Sequence, residues 1–184
     1  MLKKNGKHLL VKVFSIFAVL IFVISVYPPN IKAETKKKII LIDPGHGGID
    51  GGASLKDGTL EKDINLKISL KLKQELEKKY TVVLTRNEDK GLYTEKSKTV
   101  RKKKDEDLNN RCKMKKSSKC DAFLSIHLNM FPQTQYHGAQ VWYANNNESK
   151  KLAAILQKNL REDLDKDNKR KEKVSIDDYR VLRN

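Results

Sequence analysis

The stretch Ile39-Ile40-Leu41-Ile42-Asp43-Pro44-Gly45-His46-Gly47-Gly48 decides the fold class of this chain. Four consecutive aliphatic residues without polar alternation read as a strand buried on both faces, the kind that fills the middle of a parallel sheet. Asp43-Pro44 closes it, and Pro-Gly-His-Gly-Gly turns the main chain tightly. Glycine on either side of His46 permits positive φ and lets a ligand come close to the backbone, so one imidazole is delivered to the carboxyl end of a buried strand. In open α/β sheets ligands gather at that end.

Outward from this strand, periodicity supplies the other elements. Leu60, Ile64, Ile68, Leu72 and Leu76 recur every fourth position and predict an amphipathic helix, and residues 81–85, centred on Val82-Val83-Leu84, predict a second strand. The charged segment 87–119 reads as an exposed loop around Gly91 and the lysine run, followed by a helix carrying Leu108, Cys112 and Lys115. Residues 122–128 predict a third strand and 138–143 a fourth; 148–164 predict a helix with Leu152, Ile155, Leu156 and Leu160 on one face. The lysine-rich stretch 166–173 reads as an exposed connection. Strands alternating with helices predict an α/β fold, a mainly parallel twisted sheet with helices on both faces.

The 184 residues, 38% of them hydrophobic, suffice for one domain with one core. The formal charge is +16, and setting aside Lys3, Lys4, Lys7, Lys12 and Lys32 leaves 34 basic against 23 acidic residues, still +11. The basic runs at 36–38, 96–104 and 166–173 lack the interleaved aromatics that single-strand binders need, so nucleic acid is not expected as a partner. A solvated face, or affinity for an anionic wall or lipid surface, remains.

The N-terminus points to export. Lys3, Lys4 and Lys7 precede an apolar stretch, 13–26, broken only by Ser15 and Ser25, and Pro28-Pro29 and Ile31-Lys32-Ala33 follow as a cleavage region. Residues 1–33 therefore read as a signal peptide or, uncleaved, as a membrane anchor, with 34–184 as the exported domain. Cys112 and Cys120 form neither a metal-type pair nor a disulfide framework and are expected to be free thiols.

Three side chains with ligating chemistry fall where the topology collects ligands: His46, Glu61 in the first turn of the predicted helix, and His127 within Ser125-Ile126-His127-Leu128-Asn129. Two neutral imidazoles and a carboxylate suit Zn²⁺, which in catalytic sites keeps a further position for water. Each also has a plainer reading, a hydrogen-bonded loop histidine or a glutamate favoured by the helix dipole. Asp43 and Asp50 either compete as ligands or accept imidazole N–H bonds, and His137 reads as a surface turn residue. A phosphate loop is excluded: Asp50 stands where a dinucleotide fingerprint needs its third glycine, and no Lys-Ser or Lys-Thr follows.

Ile-Leu-Ile-Asp43-Pro44-Gly45-His46-Gly47-Gly48 with Asp50-Gly51-Gly52, then Glu61, Thr85-Arg86, Leu108 with Arg111, and Ser125-Ile126-His127-Leu128-Asn129 closely resembles the zinc-dependent N-acetylmuramoyl-L-alanine amidases, in order from about Lys38 onward. Phe131-Pro132-Gln133 and Gly138-Ala139-Gln140-Val141-Trp142-Tyr143 are most similar to the germination-specific branch of spore-forming bacteria. The resemblance implies an exported, zinc-dependent hydrolase of peptidoglycan that cuts the amide between muramic acid and L-alanine, preparing cortex muramic acid for δ-lactam formation. It carries the zinc ligands onto His46, Glu61 and His127, gives Asn129 a substrate contact, and leaves Arg86 and Arg111 between structural and substrate-anion roles. The family's second essential glutamate, the general base, falls in a strand beyond Asn184, so a final strand and helix are expected to be missing and no residue receives that role. The alternative reading is a non-catalytic exported wall-associated protein with a retained metal site.

Overall fold

The computed structural model of the chain describes residues 36–128, 137–176 and 178–183. The predicted export segment and Asn129 lie outside these residues. Among the described residues no helix is long and apolar enough to cross a membrane. The elements are β1 (Ile39–Pro44), α1 (Glu61–Leu76), β2 (Thr81–Leu84), α2 (Val100–Ser118), β3 (Ala122–Ile126), β4 (Trp142–Ala144), α3 (Asn147–Leu164) and β5 (Lys173–Ser175), with a 3-10 turn at Arg180–Leu182.

The expected α/β architecture is present. β1 lies between β2 and β3 and pairs in parallel with both, Ile42 facing Leu84 on one side and Leu124 on the other. β4 and β5 form a second parallel pair, Tyr143 opposite Val174. Parallel neighbours need a crossover, and α1 and α3 supply it for β1–β2 and β4–β5, while α2 carries the chain from β2 to β3 on the other side of β1. As the middle strand, β1 is buried on both faces, which is why its sequence shows no alternation. Its even-numbered side chains, Ile40 and Ile42, join Val82, Leu72, Leu76 and Tyr80 on the α1 face. Its odd-numbered face carries the fully buried Leu41 and Asp43, and Asp43 meets Arg111 of α2 there.

Several boundaries and faces differ from expectation. The buried line of α1 is Glu61, Asn65 and Ser69, continued by Leu72 and Leu76, while Ile68 is 41% exposed; the helix start packs beneath the His46 loop, where polar contacts are required. In α3 the buried positions are Ala153 and Gln157, with Leu152 and Ile155 exposed. Gln157 is selected because its amide bonds the main chain of Val141 and Ala139. That substitution of side chain for strand partner, with Asn168 also bonding the Ala139 carbonyl, is why β4 starts at Trp142 instead of residue 138. Asn168 is thus buried inside the stretch expected to be exposed, and Lys173 already belongs to β5. The basic run Arg101 to Lys104 is helical, because Thr99 caps the Lys102 amide and Lys103 and Lys104 pair with Glu95 and Asp50. Strands β2 and β3 end at Leu84 and Ile126, short of residues 85 and 128, and Cys112 and Cys120 are free.

Candidate metal centre

β1, α1 and β3 converge at the carboxyl end of the parallel sheet, and each delivers one of the three expected ligands. His46 follows β1 in a left-handed conformation, φ 61°, which is uncommon for a residue with a Cβ. Gly47 at φ 134° and Gly48 at φ 57° complete a turn closed by reciprocal main-chain bonds between Gly47 and Asp50. His127 follows β3, held beside β1 by the Gly45 N–H donating to the Ile126 carbonyl.

Glu61 is fixed by a different device. α1 has no side-chain cap, so the loop before it folds back and its carbonyls take the orphan helix amides: Glu61 N–H donates to Ala53 O and Lys62 N–H to Gly51 O. Ala53 N–H in turn donates to Glu61 Oε2 at 2.9 Å, and Leu128 N–H to Oε1 at 2.9 Å. Burial opposes ionisation of this carboxyl, but the two amides, the His46 ring and the Asn65 amide outweigh it and hold the pKa below the ordinary value.

The three side chains offer ligand atoms that all lie within 4.8 Å of one another. His46 Nε2 and His127 Nδ1 each stand 3.2 Å from Glu61 Oε1, and the two rings meet edge to face at 4.8 Å. His127 is 43% exposed at the rim, yet desolvation by the surrounding protein and the neighbouring His46 ring hold its pKa below 6.5, which leaves a neutral imidazole with a free lone pair at neutral pH. Two glycines keep the space open: a Cβ at Gly45 would fall on the His127 ring, and one at Gly52 would approach Glu61 Oε2 and His46 Cδ2 to 2.7 Å. A neutral imidazole, an ionised carboxylate and a second imidazole turned inward form a donor set that fits a zinc ion.

Asp50 stands behind His46, its Oδ2 2.9 Å from Nδ1, so the Nε2 edge is the one turned to Glu61. Its other oxygen accepts from Lys104 at 2.8 Å. Burial acts against the charged form, but Lys104 and His46 together hold the Asp50 pKa at about 2. Asp43 is no ligand: it is buried and accepts from Arg111, Thr85 Oγ1 and Ser125 Oγ. His137 is exposed and pairs with Asp165, away from the three ligands. Arg86 and Arg111, each 2% exposed, present no free face to a substrate anion. Sequence reasoning missed Asn65, whose amide lies 3.3 Å from Glu61 Oε1 and 3.4 Å from the Gly45 carbonyl; the signal was its place four residues after Glu61, on the same helix face.

Similarity to known proteins shows the family of the chain. The family model described as N-acetylmuramoyl-L-alanine amidase matches residues 40–184. The germination-specific N-acetylmuramoyl-L-alanine amidase of Bacillus subtilis is 36% identical over 139 residues, covering 74% of this chain and 58% of that protein. AmiC of Escherichia coli is 33% identical over 128 residues, 68% of this chain and 27% of that protein. Among solved structures, the CwlD amidase of Clostridioides difficile in complex with the GerS lipoprotein superposes with a TM-score of 0.75 at 46% identity, covering 79% of this chain and 75% of that one. An N-acetylmuramoyl-L-alanine amidase of Clostridium difficile 630 reaches a TM-score of 0.62 at 28% identity, covering 80% of this chain and 74% of that one. The chain spans little more than half the length of the Bacillus relative.

Proposed function

Because the chain belongs to the N-acetylmuramoyl-L-alanine amidase family, we propose that it hydrolyses the amide between muramic acid and L-alanine in peptidoglycan outside the cytoplasm, with zinc held by His46, Glu61 and His127. The observation that carries this reading is the convergence of the three side chains within 4.8 Å at the carboxyl end of the sheet. A zinc ion bound there supplies Lewis-acid polarisation of the scissile carbonyl and acidification of a water.

The chain's own residues do the rest. Asp50 selects the His46 tautomer that keeps Nε2 available, and the Ala53 and Leu128 amides keep Glu61 ionised and aimed. Ile49, Leu55 and Leu128, exposed at 45%, 52% and 38%, stand in the loops that carry the ligands. The general base is assigned to none of the described residues, since Asp50 is engaged by His46 and Lys104 and Asp43 by Arg111, Thr85 and Ser125. A role in spore germination is supported by the Bacillus relative, whose name carries it.

The test is metal content together with product. Purified protein should hold about one zinc per chain and release stem peptides bearing a free L-alanine amino group from peptidoglycan, and His127→Ala should lose most of both. Full zinc occupancy in His127→Ala would remove the ligand assignment, and glycan cleavage in place of amide cleavage would remove the reaction.

A further inference from the structure

Arg86 is a buried cation that makes no ion pair among the described residues. Every hydrogen bond it donates goes to a main-chain carbonyl: Nε to Pro44 at 3.0 Å, Nη1 to Glu88 at 3.1 Å, and Nη2 to Gly45 at 2.9 Å and Lys62 at 2.8 Å. Desolvating a guanidinium is costly, and a carboxylate is its usual compensation. Here four carbonyls, from three separate segments, take the direct contacts, with Asp89, Asp43 and Asp107 acting on the charge only from further away. Pro44 and Gly45 lead into His46, Lys62 follows Glu61 in the first turn of α1, and Glu88 belongs to the loop after β2.

We infer that Arg86 is a positioning residue, one rigid fork that sets the spacing between His46 and Glu61 and through it the affinity of the site for metal. The inference rests on the metal-centre reading above. Two further contacts fit it. Arg111 donates to the Pro44 carbonyl at 2.8 Å and the His46 carbonyl at 2.7 Å, so three successive carbonyls, 44 to 46, are taken up by two guanidinium groups. Gly47 lies so near the Arg86 stem that a Cβ there would stand 3.0 Å from Cδ and Nε. The left-handed His46 turn is held from behind by these contacts, without a strand ladder. Arg111 holds Asp43 and Asp107 in direct ion pairs, whereas the hydrogen bonds of Arg86 go to carbonyls alone. A substrate carboxylate has no route to it, since the side chain is 2% exposed and four of its five N–H groups are committed.

Lysine cannot substitute, because an ammonium is a point charge without the planar fork. Arg86→Lys and Arg86→Gln should therefore weaken zinc binding, read by competition with a chromophoric chelator, about 10–100-fold, the range for lost support behind metal ligands. Ala153→Gly, which loosens buried α3 away from the site, is the control: matched for urea midpoint, it should leave the zinc Kd within about twofold. Amide exchange at Gly47 and Gly48 in metal-free protein should quicken in the Arg86 variants and not in the control. Unchanged zinc affinity in Arg86→Lys, or a loss equal to that of the control, overturns the inference. If the wild-type chain itself binds no zinc, the metal reading falls, and the exchange arm decides the clamp alone. If neither variant folds, nitrogen-15 NMR of the wild type decides: resolved, slowly rotating Arg86 Nη protons support the clamp, and one averaged signal refutes it.

Discussion

The His46 end of the β2-β1-β3 sheet and the β4–β5 pair with α3 differ in what they bury: charged groups at the first, the neutral amides of Gln157 and Asn168 at the second. At the first, the buried groups are polar or charged, Asp43, Asn65, Arg86 and Arg111 among them, and the charged ones have directional partners. At the second, apolar side chains stand outside: Ile155 is 59% exposed and Ile176 69%. A cavity of about 250 Å³ lies between β3 and β4, lined by Phe123, Leu124, Trp142 and Leu156. A buried charge tolerates no loss of its partner, whereas a half-exposed aliphatic residue has little to lose. Substitutions should therefore be severe and specific at the charged groups of the first region and mild at the exposed aliphatic positions of the second, where the amides of Gln157 and Asn168 are comparably buried.

Asp43→Ala is the hardest test of that contrast. It removes the carboxylate that accepts from Arg111 at 2.6 Å and leaves a buried guanidinium with Asp107 as its remaining counter-charge. Urea unfolding should show a loss of about 3–5 kcal/mol. A loss below about 1 kcal/mol would mean the buried network contributes no more than a surface pair, and the comparison would fail.

Gly52→Ala sharpens the comparison at the ligands themselves. The residue sits at φ 67°, and the new methyl would press on Glu61 Oε2 and His46 Cδ2. We expect about 1–2 kcal/mol of destabilisation from the backbone and zinc binding weakened about tenfold or more, measured by chelator competition on folded protein. Zinc binding at the wild-type level would show that the cradle yields.

The loop after β2 is tied to the site by Asp89, which accepts from Lys62 and from the Gly48 amide. The Lys62 ammonium, ahead of the opposing desolvation, holds the Asp89 pKa below 3.8. A carboxyl depressed on folding stabilises above its unfolded pKa and loses that contribution as pH falls through the folded one. Asp89→Asn should thus cost about 0.2–1 kcal/mol at pH 7, and the difference from wild type should vanish in acid, below the depressed value. A difference that persists there would assign the effect to the hydrogen-bond geometry and not to the charge.

Ile155→Ala, in the second region, should change stability by less than about 0.5 kcal/mol beyond its helix propensity. A loss above about 2 kcal/mol would show that this face is covered, and the two regions would then differ less than their exposure indicates.

What could be read from the residues alone divides along the same line. The aliphatic run 39–42, the glycine turn and the two strand-end histidines located the parallel sheet and the three candidate ligands, because burial of a middle strand and the tight turn after it are local properties of the chain. Aliphatic periodicity placed Leu72 and Leu76 of α1 on the core but misassigned Ile68 there and Leu152 and Ile155 in α3, where Asn65, Ser69 and Gln157 are buried instead. Those positions are chosen by what lies opposite, a loop carbonyl or an irregular strand that needs an amide, and no window of sequence contains that neighbour. The roles of Arg86, Arg111 and Asp43 were open for the same reason: a charged residue in sequence reads as surface, and only the tertiary structure, which brings residues 44 to 46 against positions 86 and 111, turns it into the frame of the site.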